Sequence, residues 1–284
     1  MTYSELMSAG IRMLTEAGFE EARTDVRTLV CHACGTELTE LLLNAGLNVP
    51  HKQEQRFFSM LERRLKHEPV QYITGEQEFC GIKFHVRPGV LIPRPETELL
   101  AEAVFRNASG KRVLDLCTGS GCIAVTVAKL GSPSLVAAAD CSEAALKIAN
   151  ENAALQDAEI SFFCGDLFEP VEGTYDIIVS NPPYIKSGII RELMTEVRDF
   201  EPELALDGKA DGLYFYRRIC AEAKEYLNPG GRLMFEIGYD QGTEVSELLI
   251  TEGYTGVEVK QDYAGLDRMV FAVWPVQNKE SKDV

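Results

Sequence analysis

The chain has 284 residues, of which 45% are hydrophobic and 25% charged, a length and composition suited to one large globular domain with a smaller one. Its formal net charge of −16 argues against broad, non-specific nucleic-acid binding, which needs a basic surface. No apolar run approaches the roughly 20 residues that span a bilayer, and the amino terminus lacks the pattern of a signal peptide, so a cytoplasmic protein without membrane contact is expected.

Residues 1–75 predict a small helical domain for substrate recognition. Apolar residues recur there at intervals of three and four, as in Val26, Leu29 and Val30. The stretch Cys31-His32-Ala33-Cys34 has the form of half a zinc site. No second pair of cysteines or histidines follows at ligand spacing, so no metal is expected.

Residues 76–93 predict a β-hairpin that links this helical domain to the rest of the chain. We expect its strands at 79–86 and 90–92, with the turn at Arg87-Pro88-Gly89. The next residues, Arg94-Pro95-Glu96-Thr97-Glu98, predict the start of a helix, because proline and acidic side chains favour the first helical turn.

Residues 94–276 predict an α/β domain. From about residue 111, strands and helices alternate, which indicates a doubly wound, Rossmann-like parallel sheet with helices on both faces. The last two of seven strands have a short connection and should pair antiparallel. The polar tail, 277–284, is predicted to be disordered. The predicted strands are 112–116, 135–140, 159–163, 176–180, 232–237, 256–260 and 269–274, and the helices between them are 121–130, 143–155, 213–227 and 241–251.

The first strand of this sheet runs into a glycine-rich segment, Asp115-Leu116-Cys117-Thr118-Gly119-Ser120-Gly121. A strand, a glycine-rich turn and a helix are typical of nucleotide binding. Gly119 and Gly121 allow the backbone to approach a ligand closely. Asp140 ends the second strand, where its carboxylate can accept hydrogen bonds from both ribose hydroxyls of a nucleoside.

Two cofactors suit this arrangement. The spacing Gly119-x-Gly121-x-x-Ala124 satisfies the dinucleotide fingerprint, so NAD is a competitor. Asp115 favours S-adenosylmethionine, because a carboxylate would repel the diphosphate of NAD and attract an ammonium and a sulfonium group. The alternative interpretation of Asp115 is a cap of a helix or turn.

Gly165-Asp166-Leu167 follows the third strand. Ligands of doubly wound sheets lie at the carboxyl ends of the strands. Asp166 is therefore predicted to accept the adenine amino group, and Leu167 to pack on the adenine ring. The alternative is a simple Gly-Asp turn.

The fourth strand ends in Asn181-Pro182-Pro183-Tyr184, which should face the methyl group of the cofactor. With no histidine base nearby, this site suits a planar amide or aniline-like nitrogen that needs orientation more than deprotonation. The Asn181 side-chain oxygen and the Pro182 carbonyl can each accept one N–H bond of that nitrogen. The Tyr184 ring can pack on the planar group as positive charge develops. The alternative is an Asn-Pro turn without chemistry.

The combination resembles the glutamine N5-methyltransferase family that modifies the Gly-Gly-Gln loop of peptide-chain release factors. The matching stretches beyond the glycine-rich segment and the Asn-Pro-Pro-Tyr motif are residues 69–75, 78–79, 91–98, 200–202, 205–206 and 211–213.

This resemblance implies an S-adenosylmethionine-dependent enzyme whose protein partner is a release factor. It implies that residues 181–184 bind the substrate glutamine, and that the cofactor site is lined by Cys117, Thr118, Gly119, Ser120, Gly121, Asp140, Leu167 and Asn181. The chain departs from its relatives at Cys117, where many have glycine, and at Leu167, where an aromatic residue is common.

Three alternatives remain open from the sequence. A glutamine methyltransferase of a ribosomal protein would share the catalytic residues. Adenine-N6 methyltransferases of nucleic acid resemble the Asn-Pro-Pro-Tyr motif equally well, although the charge of −16 counts against them. A non-catalytic module that only senses the cofactor is the third. A monomer without stable nucleic-acid binding is expected.

Overall fold

In the computed structural model, which describes residues 1–276, the chain divides into two compact units. The first unit is Met1–Glu76 together with Met194–Phe200, and the second is Gln77–Leu193 together with the chain from Glu201 onwards. The tail predicted to be disordered, 277–284, lies outside the described residues.

The elements in chain order alternate as the sequence predicts. The helices are α1 (Tyr3–Glu16), α2 (Ala22–Cys34), α3 (Leu38–Leu43), α4 (His51–Arg64), α5 (Val70–Thr74), α6 (Pro95–Phe105), α7 (Cys122–Leu130), α8 (Glu143–Leu155), α9 (Thr195–Phe200), α10 (Tyr214–Glu222) and α11 (Gly242–Thr251). The strands are β1 (Glu76–Phe79), β2 (Ile82–His85), β3 (Arg112–Leu116), β4 (Leu135–Asp140), β5 (Ser161–Cys164), β6 (Tyr175–Ser180), β7 (Leu227–Glu236), β8 (Thr255–Gln261) and β9 (Asp267–Val273).

The first unit is helical, as predicted, and has its own hydrophobic core. Val26 and Leu29 of α2 and Phe57 and Leu61 of α4 are fully buried in one cluster. Leucine and aromatic side chains on facing helix stripes stabilise such a unit by about 25 cal/mol for each Å² of apolar surface removed from water.

A buried ion pair joins α9 to this helical unit. The Arg64 guanidinium lies 2.7 Å from the Asp25 carboxylate and 3.0 Å from that of Glu196, and Arg64 is only 8% exposed. The loss of either partner would leave a buried charge poorly compensated, which is strongly unfavourable. The pairing accounts for the placement of residues 194–200 with the helical unit.

The second unit is built on one seven-stranded sheet with the order β5-β4-β3-β6-β7-β9-β8. The neighbours from β5 to β7 are parallel, and β9 is antiparallel to both β7 and β8. The order reverses between β3 and β6, so the sheet is doubly wound. The predicted fold class and the antiparallel last pair are therefore confirmed.

The central strands are buried on both faces. Leu114 and Ile178 belong to the hydrophobic cluster on one face, while Val113 and Ile177 belong to the cluster on the other, and all four are fully buried. Alternate residues of a strand point to opposite faces, so continuous apolar runs mark strands covered on both sides.

Several predicted boundaries were wrong. The helix predicted at 213–227 ends at Glu222, and the strand predicted at 232–237 is β7, which begins at Leu227. The hairpin consists of β1 and β2, and its turn is Cys80-Gly81, where both residues have positive φ (50° and 73°), as two-residue hairpin turns favour. Arg87-Pro88-Gly89, the predicted turn, follows the hairpin, and the Arg87 guanidinium pairs with Glu151 at 2.6 Å. The strand predicted at 159–163 runs from Ser161 to Cys164, because its pairing with β4 begins only at Ser161.

Candidate active site

A pocket opens at the carboxyl ends of four parallel strands, β3 to β6, around the point where the order of the sheet reverses. It is lined by Cys117 after β3, Asp140 at the end of β4, Asp166 after β5 and Asn181 after β6. This is the position at which doubly wound sheets bind ligands. The fold thus brings the predicted cofactor residues and the first residue of the Asn-Pro-Pro-Tyr motif into one cavity.

The glycine loop, residues 117–121, has an unusual backbone. Cys117, Gly119 and Gly121 all have positive φ, at 58°, 56° and 79°. A Cβ at Gly119 would meet nothing within 4 Å, whereas a Cβ at Gly121 would lie 3.0 Å from the Cβ of Ala149 on α8. Gly119 lines the pocket and so leaves room for a ligand, while Gly121 allows two helices to pack closely.

Asp115 lies at the base of this loop and does not line the pocket. It is 1% exposed, and its Oδ2 accepts hydrogen bonds from the Thr118 hydroxyl at 2.6 Å and from the Ala124 backbone N–H at 3.1 Å. Burial raises the pKa of Asp115 to about 7. These contacts give it the capping role of the alternative interpretation, so its predicted contact with a cofactor cation stays a prediction.

Asp140 joins the loop to the end of β4. Its Oδ2 accepts from the Gly119 backbone N–H and its Oδ1 from that of Ser142, each at 2.9 Å. Burial raises the pKa of Asp140, and these backbone donors lower it. A carboxylate accepts more than two hydrogen bonds, so this pocket-lining group retains capacity for ligand hydroxyls.

The two residues predicted at the adenine differ in their surroundings. Leu167 is 5% exposed, has a φ of 51° and contributes an apolar wall to the pocket. Asp166 also lines the pocket, but its Oδ2 accepts a hydrogen bond from Arg218 at 2.7 Å. The other predicted members of the cofactor loop, Thr118, Ser120 and Gly121, are buried and lie outside the lining.

The Asn-Pro-Pro-Tyr turn, residues 181–184, is held by side chains from several elements. The Asn181 Nδ2 donates to the Thr97 hydroxyl of α6 at 3.3 Å. The Gln241 Nε2 donates to the Tyr184 carbonyl at 3.2 Å and to the Gly212 carbonyl at 3.3 Å. Both prolines are buried, and Pro183 lines the pocket while Pro182 does not.

The Tyr184 side chain makes one polar contact and one apolar contact. Its hydroxyl donates to the Glu236 Oε1 at 3.4 Å, and its ring packs against the hydrophobic core. Burial and the nearby Glu236 raise the pKa of Tyr184, so the phenol stays protonated. Tyr184 does not line the pocket in this structure, and the predicted stacking of its ring on a substrate amide stays a prediction.

Two of the family-like stretches noted in the sequence meet in an ion pair. The Arg94 Nη2 lies 2.7 Å and 2.6 Å from the two carboxylate oxygens of Glu201, which is 6% exposed. Both stretches lead into the pocket wall. This pairing joins the two stretches.

Sequence reasoning missed part of the pocket and its support. Thr97, in helix α6, and Glu236, the last residue of the parallel strand β7, contact the Asn-Pro-Pro-Tyr turn. For Glu236 the available signal was its place near the carboxyl end of the strand predicted at 232–237. The family-like stretch at 91–98 was the available signal for Thr97. The apolar walls that were also missed are Val90, Leu91, Leu204, Ala205 and Phe215.

Within residues 1–276, no group of three or more histidine, cysteine or acidic side chains is arranged to hold a metal ion. Over the same residues, no helix combines the length and the apolar character needed to cross a membrane.

Two family descriptions match the chain. Residues 5–75 match the PrmC N-terminal domain, and residues 89–197 match the methyltransferase small domain. Among solved structures, a methyltransferase from Pyrococcus furiosus superimposes with a TM-score of 0.55 at 20% identity, covering 77% of this chain and all of that one. A T. thermophilus 16S rRNA N2 G1207 methyltransferase superimposes with a TM-score of 0.51 at 20% identity, and the match covers 70% of this chain and 49% of that one. At these identities the structures show the fold alone.

The sequence relatives are much closer. A release factor glutamine methyltransferase of Geobacter sulfurreducens is 42% identical over 259 residues, or 90% of this chain and 91% of the relative. A release factor glutamine methyltransferase of Clostridium acetobutylicum is 38% identical over 96% of this chain and 99% of the relative. One of Neisseria gonorrhoeae is 43% identical over 87% of this chain and 92% of the relative. The chain belongs to the release factor glutamine methyltransferase family.

Proposed function

We infer that this protein transfers a methyl group from S-adenosylmethionine to the side-chain amide nitrogen of the glutamine in the Gly-Gly-Gln loop of peptide-chain release factors. One observation carries the assignment: Asp140 and Gly119 of the nucleotide-binding half line the same pocket as Asn181 and Pro183 of the Asn-Pro-Pro-Tyr turn. A cofactor and an amide held by these groups would meet within one cavity.

The residues on the cofactor side fit S-adenosylmethionine. The open space at Gly119 admits a ligand against the backbone, and the Asp140 carboxylate can accept from ribose hydroxyls. Leu167 offers an apolar surface to a base, and Asp166 stands beside it at the rim. When bound, S-adenosylmethionine supplies an electrophilic methyl group on a positively charged sulfur.

The residues on the substrate side fit a planar amide. The Asn181 Nδ2 donates a hydrogen bond to the Thr97 hydroxyl, so the Asn181 Oδ1 is the atom available to accept an N–H of the substrate. An amide nitrogen attacks poorly because its lone pair is delocalised. A fixed acceptor orients that nitrogen and stabilises the charge that develops on it, and positioning and electrostatics of this kind supply most of the rate.

The reaction balances without a strong base. A bond forms between the amide nitrogen and the methyl carbon as the carbon–sulfur bond breaks, and the electron pair of that bond stays on the sulfur of S-adenosylhomocysteine. The nitrogen then loses one proton to water, which gives the neutral N-methyl amide. That proton becomes acidic once the nitrogen carries positive charge. Orientation of the neutral amide is therefore the principal task of this chain's residues.

The finer assignments follow from the same proposal. Asn181, Pro182 and Tyr184 are the proposed catalytic residues, and Pro183 completes the glutamine site. We propose that the enzyme acts as a monomer in the cytoplasm. The net charge of −16 supports the absence of stable nucleic-acid binding.

The test is incubation of a purified release factor with the enzyme and S-adenosylmethionine, followed by peptide mass spectrometry. We expect one added methyl group on the loop glutamine and none on a release factor in which this glutamine is replaced by glutamate. Ribosomal proteins and DNA, offered separately, test the two alternative substrate classes. Methylation of either in place of the release factor would refute the assignment.

A further inference from the structure

One buried asparagine of α8, Asn152, binds the backbone of two other segments. Its side chain is fully buried. Its Oδ1 accepts a hydrogen bond from the His85 backbone N–H at 2.7 Å. Its Nδ2 donates to the His85 carbonyl at 3.0 Å and to the Ser120 carbonyl at 2.9 Å. A single carboxamide therefore joins the end of the hairpin strand β2 to the glycine loop.

Both of these partners adjoin the pocket. Ser120 directly follows Gly119, which lines the pocket. His85 is the last residue of β2, and from it the chain runs on to three further lining residues, Gly89, Val90 and Leu91. Asn152 itself is not among the lining residues. Its influence on a ligand must therefore pass through the two segments that it binds.

Helix α8 also holds the post-hairpin segment (residues 85–91) at other points. Glu151, next to Asn152, pairs with the Arg87 guanidinium at 2.6 Å. Val90 packs against Ala145 and Ile148 of α8 in a buried cluster. The post-hairpin segment and the glycine loop are thus two walls of the pocket that rest on one helix, and Asn152 forms hydrogen bonds with both.

The contacts of Asn152 require a carboxamide. This group offers one acceptor oxygen and two N–H donors, whereas a carboxylate lacks the donors and an aliphatic side chain lacks both. The His85 N–H requires the acceptor, and the two carbonyls require the donors, so the orientation of the carboxamide is also fixed. Buried backbone groups that lose their partners are costly. Removal of this side chain should therefore let the two walls move.

We propose that Asn152 is a positioning residue of the cofactor site, which holds the glycine loop and the post-hairpin segment at the separation that S-adenosylmethionine requires. The proposal rests on the proposed function, in which the cofactor occupies this pocket, and adds the residue that sets the distance between two of its walls. Asn152 acts through Ser120 and His85.

The experiment is calorimetric titration of the wild-type enzyme and Asn152→Ala with S-adenosylmethionine. We expect the variant to have a dissociation constant about tenfold higher, the effect of roughly one net hydrogen bond. Single-turnover methylation of a release factor at saturating cofactor should stay near the wild-type rate, because a loss of binding common to the ground and transition states lowers affinity alone.

Two control variants separate positioning from a general loss of stability. Gln156→Ala removes a hydrogen bond of 2.8 Å from the same helix to the Lys83 carbonyl of β2. Tyr254→Phe removes a buried hydrogen bond of 3.1 Å to the Cys220 carbonyl, from a side chain that does not line the pocket. Both variants should bind S-adenosylmethionine with wild-type affinity, even if denaturant unfolding shows that they are as destabilised as Asn152→Ala.

A further measurement uses the wild-type protein and so does not depend on the folding of a variant. Coupling between the cofactor and the two walls is reciprocal, so S-adenosylmethionine should oppose local opening of the contacts that Asn152 makes. Saturating S-adenosylmethionine should slow hydrogen exchange of the His85 N–H more than that of the Tyr254 N–H.

The outcomes separate the positioning role from the proposed function. Wild-type affinity in folded Asn152→Ala, the same loss of affinity in Tyr254→Phe, or equal slowing of exchange at His85 and Tyr254 would overturn the positioning role alone. Failure of the wild-type enzyme to bind S-adenosylmethionine would overturn both proposals. Binding without methylation of any release factor would overturn the proposed function, and the calorimetric comparison would still decide the role of Asn152.

Discussion

The glycine loop (residues 117–121) and the Asn-Pro-Pro-Tyr turn (residues 181–184) contribute to the same pocket, but they are held in different ways. The glycine loop takes its shape from its backbone, which has three residues at positive φ. Two side chains from outside it also bind it: the Gly119 N–H donates to Asp140, and the Asn152 Nδ2 donates to the Ser120 carbonyl. The turn is fixed by side chains from three distant segments, through Thr97, Glu236 and Gln241.

This difference separates two kinds of function. A loop whose shape comes from its own backbone angles presents a stable surface to a ligand. A turn that is held by remote side chains has an orientation that those side chains select. Changes in the loop should therefore alter cofactor affinity, and changes at the turn or its supports should alter the rate of transfer.

The largest expected effect is at the turn. Asn181→Ala removes the acceptor proposed to orient the substrate amide and should lower the single-turnover rate by about 10²–10³. Affinity for S-adenosylmethionine, measured by calorimetry, should stay near the wild-type value. Asn150→Ala, at an exposed asparagine of α8, is the matched control and should transfer normally. Wild-type transfer by Asn181→Ala would mean that the motif is only a turn.

The two regions should behave alike in stability, because each rests on a buried carboxyl. Folding raises the pKa of Asp115 from 3.8 and of Glu236 from 4.5 to about 7 in each case, so the native state binds more protons than the unfolded chain between these values. Stability then falls as pH rises through that window, by up to about 4 kcal/mol for Asp115 and about 3 kcal/mol for Glu236.

Asp115→Asn and Glu236→Gln remove this dependence. Relative to wild type, their free energies of unfolding should rise by about 3–4 kcal/mol between about pH 4 and pH 8. Denaturant unfolding at both pH values is the measurement. A difference from wild type that does not change with pH would contradict the burial of an ionising carboxyl at that site.

The next effect in size is expected on cofactor affinity, at Asp140. Asp140→Ala should weaken S-adenosylmethionine binding by about 1.5–3 kcal/mol, because ribose hydroxyls lose a charged acceptor. Asp140→Asn keeps one acceptor oxygen and should lose less. Calorimetric titration of both variants checks the order, and unchanged affinity in Asp140→Ala would refute the role assigned to Asp140.

Substitutions of Gly121, in the glycine loop, and of Gly212, which packs against the Asn-Pro-Pro-Tyr turn, test the comparison between these two regions. Gly121 and Gly212 both have positive φ, at 79° and 78°. A Cβ at Gly121 would lie 3.0 Å from the Cβ of Ala149, and a Cβ at Gly212 would lie 2.7 Å from the Gln241 Nε2 and closer still to the Tyr184 carbonyl. Strain of this kind costs about 1–3 kcal/mol.

We expect Gly121→Ala to raise the dissociation constant of S-adenosylmethionine, since it displaces the glycine loop. We expect Gly212→Ala to slow transfer at saturating cofactor, since it displaces the turn. Affinity and single-turnover rate should be measured for both variants. The same defect in both would remove the distinction between the two regions.

The smallest effect is expected at Cys117. Burial raises the pKa of its thiol and keeps it protonated, and no chemistry is assigned to it. Cys117→Ser should transfer at nearly the wild-type rate. Cys117→Gly should do so as well, because its φ of 58° suits glycine. A folded serine variant with a large loss of turnover would reveal a role for the thiol.

The cofactor half of the site was largely predictable from the sequence. Strand ends and glycine-rich turns are local features of the sequence, and they predicted Gly119 and Asp140, while the family resemblance added Cys117; all three line the pocket. Asp115 shows the limit of such reasoning. Its position at a strand end was clear, but the direction of its side chain depends on the Thr118 hydroxyl and the Ala124 N–H.

The support of the turn was only partly open to the same reasoning. Thr97 precedes Asn181 by 84 residues and lies on a helix, so only the tertiary fold brings these two together. Glu236 ends a strand parallel to the one before the turn, and that position was a signal that the sequence reasoning missed. The prediction of the hairpin turn was wrong for a simpler reason. Arg87-Pro88-Gly89 has stronger turn residues than Cys80-Gly81, yet the latter pair adopts the positive φ that a two-residue turn needs.

The separation between binding and transfer is tested most directly by crossing two variants with two cofactor concentrations. Single-turnover methylation of a release factor should be followed by mass spectrometry for Asp140→Ala and Asn181→Ala, at limiting and at saturating S-adenosylmethionine. We expect saturation to return Asp140→Ala close to the wild-type rate and to leave Asn181→Ala about 100-fold or more below it. Recovery of Asn181→Ala at saturating cofactor, or failure of Asp140→Ala to recover, would contradict the assignment of the two regions.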